Sequence, residues 1–173
     1  MRRSAVLMSL FGGCAMLAAC GQGGGEKAAE TQAPSQAPAP ELTPAEKQAL
    51  LASLPAPYNT ADIENGKAKF GMCRSCHTIV PGGANLTGPN LHGVFGRKAG
   101  TLPNYNYSEA VKNAGFEWDA EHLDKWLAQP RTFLPGTKMT FVGLKNEKDR
   151  IDLIAYLKVE TGYKPTQDAS APK

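Results

Sequence analysis

Phe70-Gly71-Met72-Cys73-Arg74-Ser75-Cys76-His77 decides how this chain is read. Two thiols three residues apart at the end of a helical stretch, followed at once by His, form the pattern that attaches haem covalently. Each thiol can add to one vinyl group of the porphyrin, which leaves His77 beneath the iron as the proximal ligand. Three other uses of such a Cys pair compete with this one. A redox dithiol wants a βαβ context, which the flanking sequence lacks. A zinc site wants a second pair of ligands at suitable spacing, and none follows. A disulfide is chemically open to an exported protein, yet it leaves His77 unexplained.

The sixth ligand of the iron must come from elsewhere in the chain. Of the five methionines, Met1, Met8 and Met16 fall in the N-terminal apolar segment, and Met72 abuts Cys73 on the proximal side. Met139 remains, in Leu134-Pro135-Gly136-Thr137-Lys138-Met139-Thr140-Phe141, where Pro and Gly oppose helix. The rivals are His92, in a Gly-rich loop expected at the surface, and His122, on the polar side of its helix. Either would make a bis-His haem, and both read as ordinary residues.

Around the motif, helical signals alternate with Gly- and Pro-rich loops. Ile63, Gly66, Lys67 and Phe70 share one face of a helix expected to run to about Met72. Ser108, Asp119 and Asn146 stand where helix caps should, with stops at Gly115, Pro130 and Gly162. The last helix carries Ile151, Leu153, Ile154, Tyr156 and Leu157. No alternating strand pair and no repeat is evident. About a hundred residues with a loop as long as 78–103 supply a thin core, which an internal ligand would complete.

The first sixty residues differ in composition. Arg2 and Arg3 precede an apolar stretch from Ala5 to Ala19, which reads as an export signal over 1–19, too short for a comfortable membrane span. Leu17-Ala18-Ala19-Cys20 resembles the lipobox of bacterial lipoproteins, in which the Cys is lipidated and the chain is cut before it; a non-lipidated signal or an uncleaved anchor is the alternative. Cys14 would leave with the signal. Residues 20–59 are rich in Gly, Ala, Gln, Glu and Pro and read as a flexible tether, with a reach of roughly 35 Å as a coil. Within it Thr43-Pro44-Ala45-Glu46 is a capping-box start to a short helix near 44–54. A haem domain is expected over 60–163 and a disordered tail over 164–173. Of nineteen basic residues two are Arg2 and Arg3, so the remaining seventeen face sixteen acidic residues. No basic run suggests nucleic acid.

From Gly66 to Lys158 the chain resembles a class I cytochrome c of the mitochondrial and alphaproteobacterial type. The likeness is carried by Gly88-Pro89-Asn90-Leu91-His92-Gly93-Val94-Phe95-Gly96-Arg97, by residues Pro135 to Met139, and by Asp152-Leu153-Ile154-Ala155-Tyr156-Leu157-Lys158. It implies an all-α fold of three to five helices wrapped around one haem c, with Gly66 and Phe70 packed against Leu153 and Tyr156. It also implies that Pro89 places its carbonyl near His77 and that Arg97, Tyr107 and Trp118 approach the propionates, with Trp126 and Phe141 completing the haem surroundings. Trp126 and Val111 depart from the family, which has Tyr and Asn there, so a small polar network is expected to be simplified. The loop ahead of Pro135 is also poorer in lysine than its mitochondrial counterpart.

With His and thioether on the two axial positions, the iron has no open place for a small substrate, so outer-sphere electron transfer is expected rather than catalysis. Lys98, Lys138 and Lys145 are expected around the haem edge. The anticipated role is a monomeric, membrane-tethered periplasmic carrier between a quinol–cytochrome c oxidoreductase and a cytochrome c oxidase or another terminal reductase. The rivals are a haem peroxidase or ligand sensor whose Met139 dissociates, and an assembly protein that uses haem only for structure.

Overall fold

Asp62, Ser108, Asp119 and Asn146 each start a helix, the side chain accepting a hydrogen bond from the backbone N–H three residues on. That bond satisfies one of the amides that a helix start leaves without an intrahelical partner. Thr43 does the same and Glu46 returns the bond to the Thr43 N–H, completing the capping box. The computed structural model describes residues 42–165. The export signal, Cys20, the tether through residue 41 and the tail from 166 lie outside the described residues.

The helices are α1 (Pro44–Ser53), α2 (Ile63–Phe70), α3 (Glu109–Lys112), α4 (Ala120–Ala128), α5 (Pro130–Phe133) and α6 (Glu147–Glu160), with one 3-10 turn at Tyr58–Thr60. The fold is all-α, and five of the six helices fall within the expected haem domain. Among the described residues the nearest thing to a sheet is one antiparallel bridge, Lys98 to Glu117. Pro130 was expected to stop α4; it also opens α5, because its fixed φ and missing N–H suit a first helical position.

The core is built on the crossing of α2 and α6. Gly66 lies at the contact, where a Cβ would come within 2.7 Å of the Tyr156 Cβ. Phe70 then meets Tyr156 with ring centroids 5.7 Å apart. Leu153, Ile154 and Ala155 are completely buried, and burial of a Leu or Ile side chain contributes about 1.5–3 kcal/mol each. Helix α6 is covered from several sides, by α2, α4, α1 and the 3-10 turn. That explains why Asp152 and Lys158 are buried on it as well. Asp152 Oδ1 accepts from the Asp62 N–H at 2.9 Å, and Oδ2 accepts from Asn65 and Lys148, both at 2.7 Å. Lys158 places Nζ 3.8 Å from the Tyr163 ring and 4.8 Å from Phe95, so cation–π attraction offsets part of its lost hydration.

One expected boundary is corrected. Residues 44–59 were read as part of a flexible tether, but Leu54 is only 3% exposed and Leu50 and Leu51 pack against the core. Lys47 closes the contact with an ion pair to Glu160 at 2.7 Å. The leucines that make the α1 sequence a good helix also make it adhesive, so the packed unit begins ahead of residue 60.

Candidate haem site

Helix α2 ends at Phe70, slightly earlier than expected, and tight turns carry the chain on. The Cys73 N–H donates to the Phe70 carbonyl at 2.8 Å and the His77 N–H to the Cys73 carbonyl at 2.9 Å. These turns bring both thiols and His77 to one place, anchored to the rigid α2–α6 pair. Cys73 and Cys76 are half-buried and free of any disulfide. Burial pushes the Cys73 thiol up to about 11, and Cys76 beside it acts in the same direction. The disulfide reading is not what the geometry holds.

His77 is oriented from two sides. Its Nδ1 lies 2.8 Å from the Pro89 carbonyl. Gly88 lies flat against the ring, where a Cβ would come within 2.6 Å of Nδ1 and Nε2. Burial lowers the pKa of His77, opposed by the Pro89 hydrogen bond, and the ring is therefore neutral at pH 7. With Nδ1–H donating to Pro89, Nε2 is left with its lone pair, the state an imidazole needs to ligate a metal. The resemblance placed the Pro89 carbonyl near His77, and there it stands.

The remaining residues of the candidate pocket come together through their loops. The Trp118 N–H donates to the Arg97 carbonyl at 2.9 Å, and the Arg97 guanidinium bonds back to the carbonyls of Asn90 at 3.2 Å and His92 at 3.2 Å. Burial raises the pKa of Tyr107 while the nearby Arg97 charge pulls it down, so the two side chains share one region. Trp118 and Trp126 meet edge-on with centroids 5.4 Å apart, and Phe133 lies 6.4 Å from Trp126. Both indoles are 8% exposed. Val111 is buried and supplies no polar atom at its position. Met139 and Phe141 are half-buried and packed against the core. The Lys138 ammonium holds their loop, donating to the carbonyls of Asn106 at 3.1 Å and Tyr107 at 3.3 Å.

These residues fit a covalently held haem: two free thiols, a neutral imidazole fixed from behind, a thioether on a separate loop, and an apolar wall that includes two indoles. Other expectations change. Lys138 and Lys145 each reach a main-chain carbonyl of another segment, Lys138 those of Asn106 and Tyr107 and Lys145 that of Ala128 at the end of α4, at 3.0 Å. His92 is half-buried rather than on the surface, its Nδ1 enclosed without a hydrogen-bond partner and its ring against Gly162. His122 stacks on Phe116 at 4.3 Å and bonds Asp119. Asn90 belongs to the stretch that carries the resemblance, and its side chain makes three hydrogen bonds. An Asn directly after a Pro in a loop was the available signal, since Asn readily bonds nearby backbone.

Comparison with known proteins agrees with this geometry. The cytochrome c family model matches residues 63–159. A cytochrome c2 from Rhodomicrobium vannielii is 46% identical over 105 residues, covering 61% of this chain and 84% of that one. A cytochrome c from Theileria parva is 55% identical over 98 residues, covering 56% and 84% respectively. Among solved structures, cytochrome cH from Methylobacterium extorquens superposes with a TM-score of 0.53 at 42% identity, covering 57% of this chain and 98% of that one. The chain therefore belongs to the cytochrome c family, as a monohaem electron carrier whose haem c is bound covalently through Cys73 and Cys76.

Proposed function

We propose that His77 and Met139 are the two axial ligands of the iron and that the protein passes single electrons while tethered to a membrane. The observation that supports the His77 assignment is the hydrogen bond from its Nδ1 to Pro89 at 2.8 Å, which leaves Nε2 with a lone pair for a metal. Haem, when bound, supplies the one-electron ferric/ferrous couple. The protein's residues hold it, orient it and govern access to it. Cys73 and Cys76 prevent its loss, and His77 fixes one axial direction. Met139 supports the other from a loop that Lys138 fastens to Asn106 and Tyr107. Met72, the other methionine among the described residues, is 51% exposed and adjacent to Cys73, so it is the poorer candidate. A thioether ligand favours the ferrous state and raises the potential. Arg97 and Tyr107, with the Trp118 indole, would face the propionates, and Trp126 and Phe141 would exclude water from the iron.

Near-infrared absorption of the ferric protein tests the assignment. A thioether-to-iron band that vanishes in Met139→Ala, together with a lowered potential and new peroxidase activity, is the expected result. An unchanged low-spin spectrum and potential in Met139→Ala would refute it.

The tether rests on the sequence from Arg2 to Cys20. Export, lipidation at Cys20 and a periplasmic haem domain are proposed together, and among the described residues no helix is long and apolar enough to cross a membrane. Durable attachment needs more than one acyl chain, and a lipoprotein cysteine usually carries three. The proposed partners are a quinol–cytochrome c oxidoreductase and a terminal oxidase. Mass spectrometry of the mature N-terminus decides the anchor: an unmodified Cys20, or cleavage elsewhere, removes it and leaves the electron carrier intact.

A further inference from the structure

Asn90 is 6% exposed, and all its polar atoms are engaged. Nδ2 donates to the carbonyls of Val80 at 2.9 Å and Gly83 at 2.8 Å. Oδ1 accepts from the His92 N–H at 2.6 Å. The backbone N–H of Asn90 donates to Asn85 Oδ1 at 2.9 Å, and its carbonyl accepts from Arg97 at 3.2 Å. Gly83 makes the room, since a Cβ there would come within 2.6 Å of Nδ2.

The residue before it is Pro89, whose carbonyl meets His77 Nδ1 at 2.8 Å. That carbonyl and the Asn90 N–H belong to one peptide unit, and a peptide unit is planar. Wherever Asn90 points its N–H, the Pro89 C=O must point the opposite way. Pro89 cannot anchor itself, having neither an N–H nor a polar side chain. On the other flank the Gly88 N–H is held by the Cys76 carbonyl at 2.8 Å; Asn85 accepts from the peptide itself, and the Asn90 side chain fixes the residue that carries it.

We propose that Asn90 is the positioning residue for the His77–Pro89 hydrogen bond and thereby a determinant of the redox potential. The inference rests on His77 being an axial ligand. A firm bond at Nδ1 makes the imidazole a better electron donor to the iron and favours the ferric state. A loosened one does the reverse. Asn90→Ala removes the bonds to Val80, Gly83 and His92, freeing the peptide to rotate.

The test is made on the haem-loaded protein, with NMR of the His77 Nδ1 proton and a redox titration. Asn90→Ala should speed solvent exchange of that proton about tenfold, the factor equivalent to about 1.4 kcal/mol of lost hydrogen bonding. The potential should move in the positive direction. Leu54→Ala, a comparable loss of stability remote from the loop, should move neither. If Asn90→Ala fails to fold, Asn85→Ala removes the acceptor of the Asn90 N–H, together with one bond to the Asn104 carbonyl, and should give a smaller change of the same sign. Loss of stability without any change in exchange or potential, in whichever variant folds, would overturn the proposal. Absence of an iron-bound His77 ring in the unaltered protein would defeat the ligand assignment first, and this inference with it.

Discussion

The α2–α6 crossing and the loops between residues 71 and 107 are held together by different physics. At the crossing, the helices satisfy their own backbone groups and apolar side chains provide the cohesion, with Leu153, Ile154 and Ala155 fully buried. In the loops the backbone pairs through irregular turns and cross-loop bonds, such as the Leu91 N–H with the Thr78 carbonyl at 2.8 Å. Side chains reinforce it: Thr78 bonds the Ala84 carbonyl at 2.8 Å, Tyr105 the Thr87 carbonyl at 2.6 Å, and Asn90 two further carbonyls. The first region packs against itself. The second relies on polar bonds between loops. The contrast predicts that bound haem supports the second region more than the first.

The strongest way to break this contrast is to remove attachment. Cys73→Ala combined with Cys76→Ala should abolish covalent haem and erase amide protection throughout the loops. Amides of α2 and α6 should keep residual protection in hydrogen exchange. Equal loss in both regions would mean that haem supports the whole unit.

A second experiment strikes the crossing and spares the frame. Gly66→Val should cost about 3 kcal/mol or more, because the added carbons meet helix backbone that cannot yield. Urea unfolding of the haem-loaded protein measures the loss, and the redox potential should stay where it was.

Acid sharpens the picture further. Burial by itself would raise the Asp152 carboxyl, but bonds from Lys148, Asn65 and the Asp62 N–H outweigh it and hold the pKa below the ordinary carboxylate value. A depressed native pKa gives stability that is complete above the unfolded value. That stability is lost as pH falls through the native one. Asp152→Asn should therefore cost about 1–2 kcal/mol at neutral pH and flatten the acid limb of the stability curve. A variant that keeps the original acid dependence would assign it to other carboxylates. The smallest effect is expected for Lys47→Ala, under about 1 kcal/mol by thermal melting, since the pair with Glu160 remains partly exposed.

Much of this was legible before any coordinates. Cys73, Cys76 and His77 stand within five residues, so their chemistry is local and a linear reading reaches it. Helix starts at Ser108, Asp119 and Asn146 were legible for the same reason, because a cap acts over three residues. Gly66 was anticipated because two helices can cross closely only over a missing side chain. What escaped were relations between distant segments. Nothing near Lys47 announces Glu160, so a helix that docks was taken for part of a tether. The Lys158 ammonium lies among Tyr58, Phe95 and Tyr163, rings scattered over the chain. Asn90 was in plain view, but its task depends on where Val80 and Gly83 turn their carbonyls.

The seating of α1 also decides how the domain responds to force. Any pull along the chain from the N-terminal side reaches α1 before it reaches α2. The load falls first on the Lys47–Glu160 contact and the Leu54 side chain, which lie one after another and so yield in turn, like a peeled strip. Drawing out the ten residues of α1 would lengthen the chain by roughly 20 Å, the difference between helical and extended rise. The α2–α6 crossing and the residues that hold haem would feel the strain only afterwards. A short helix resting on the outside of the core is thus a built-in slack, taken up before the electron-carrying part is stretched.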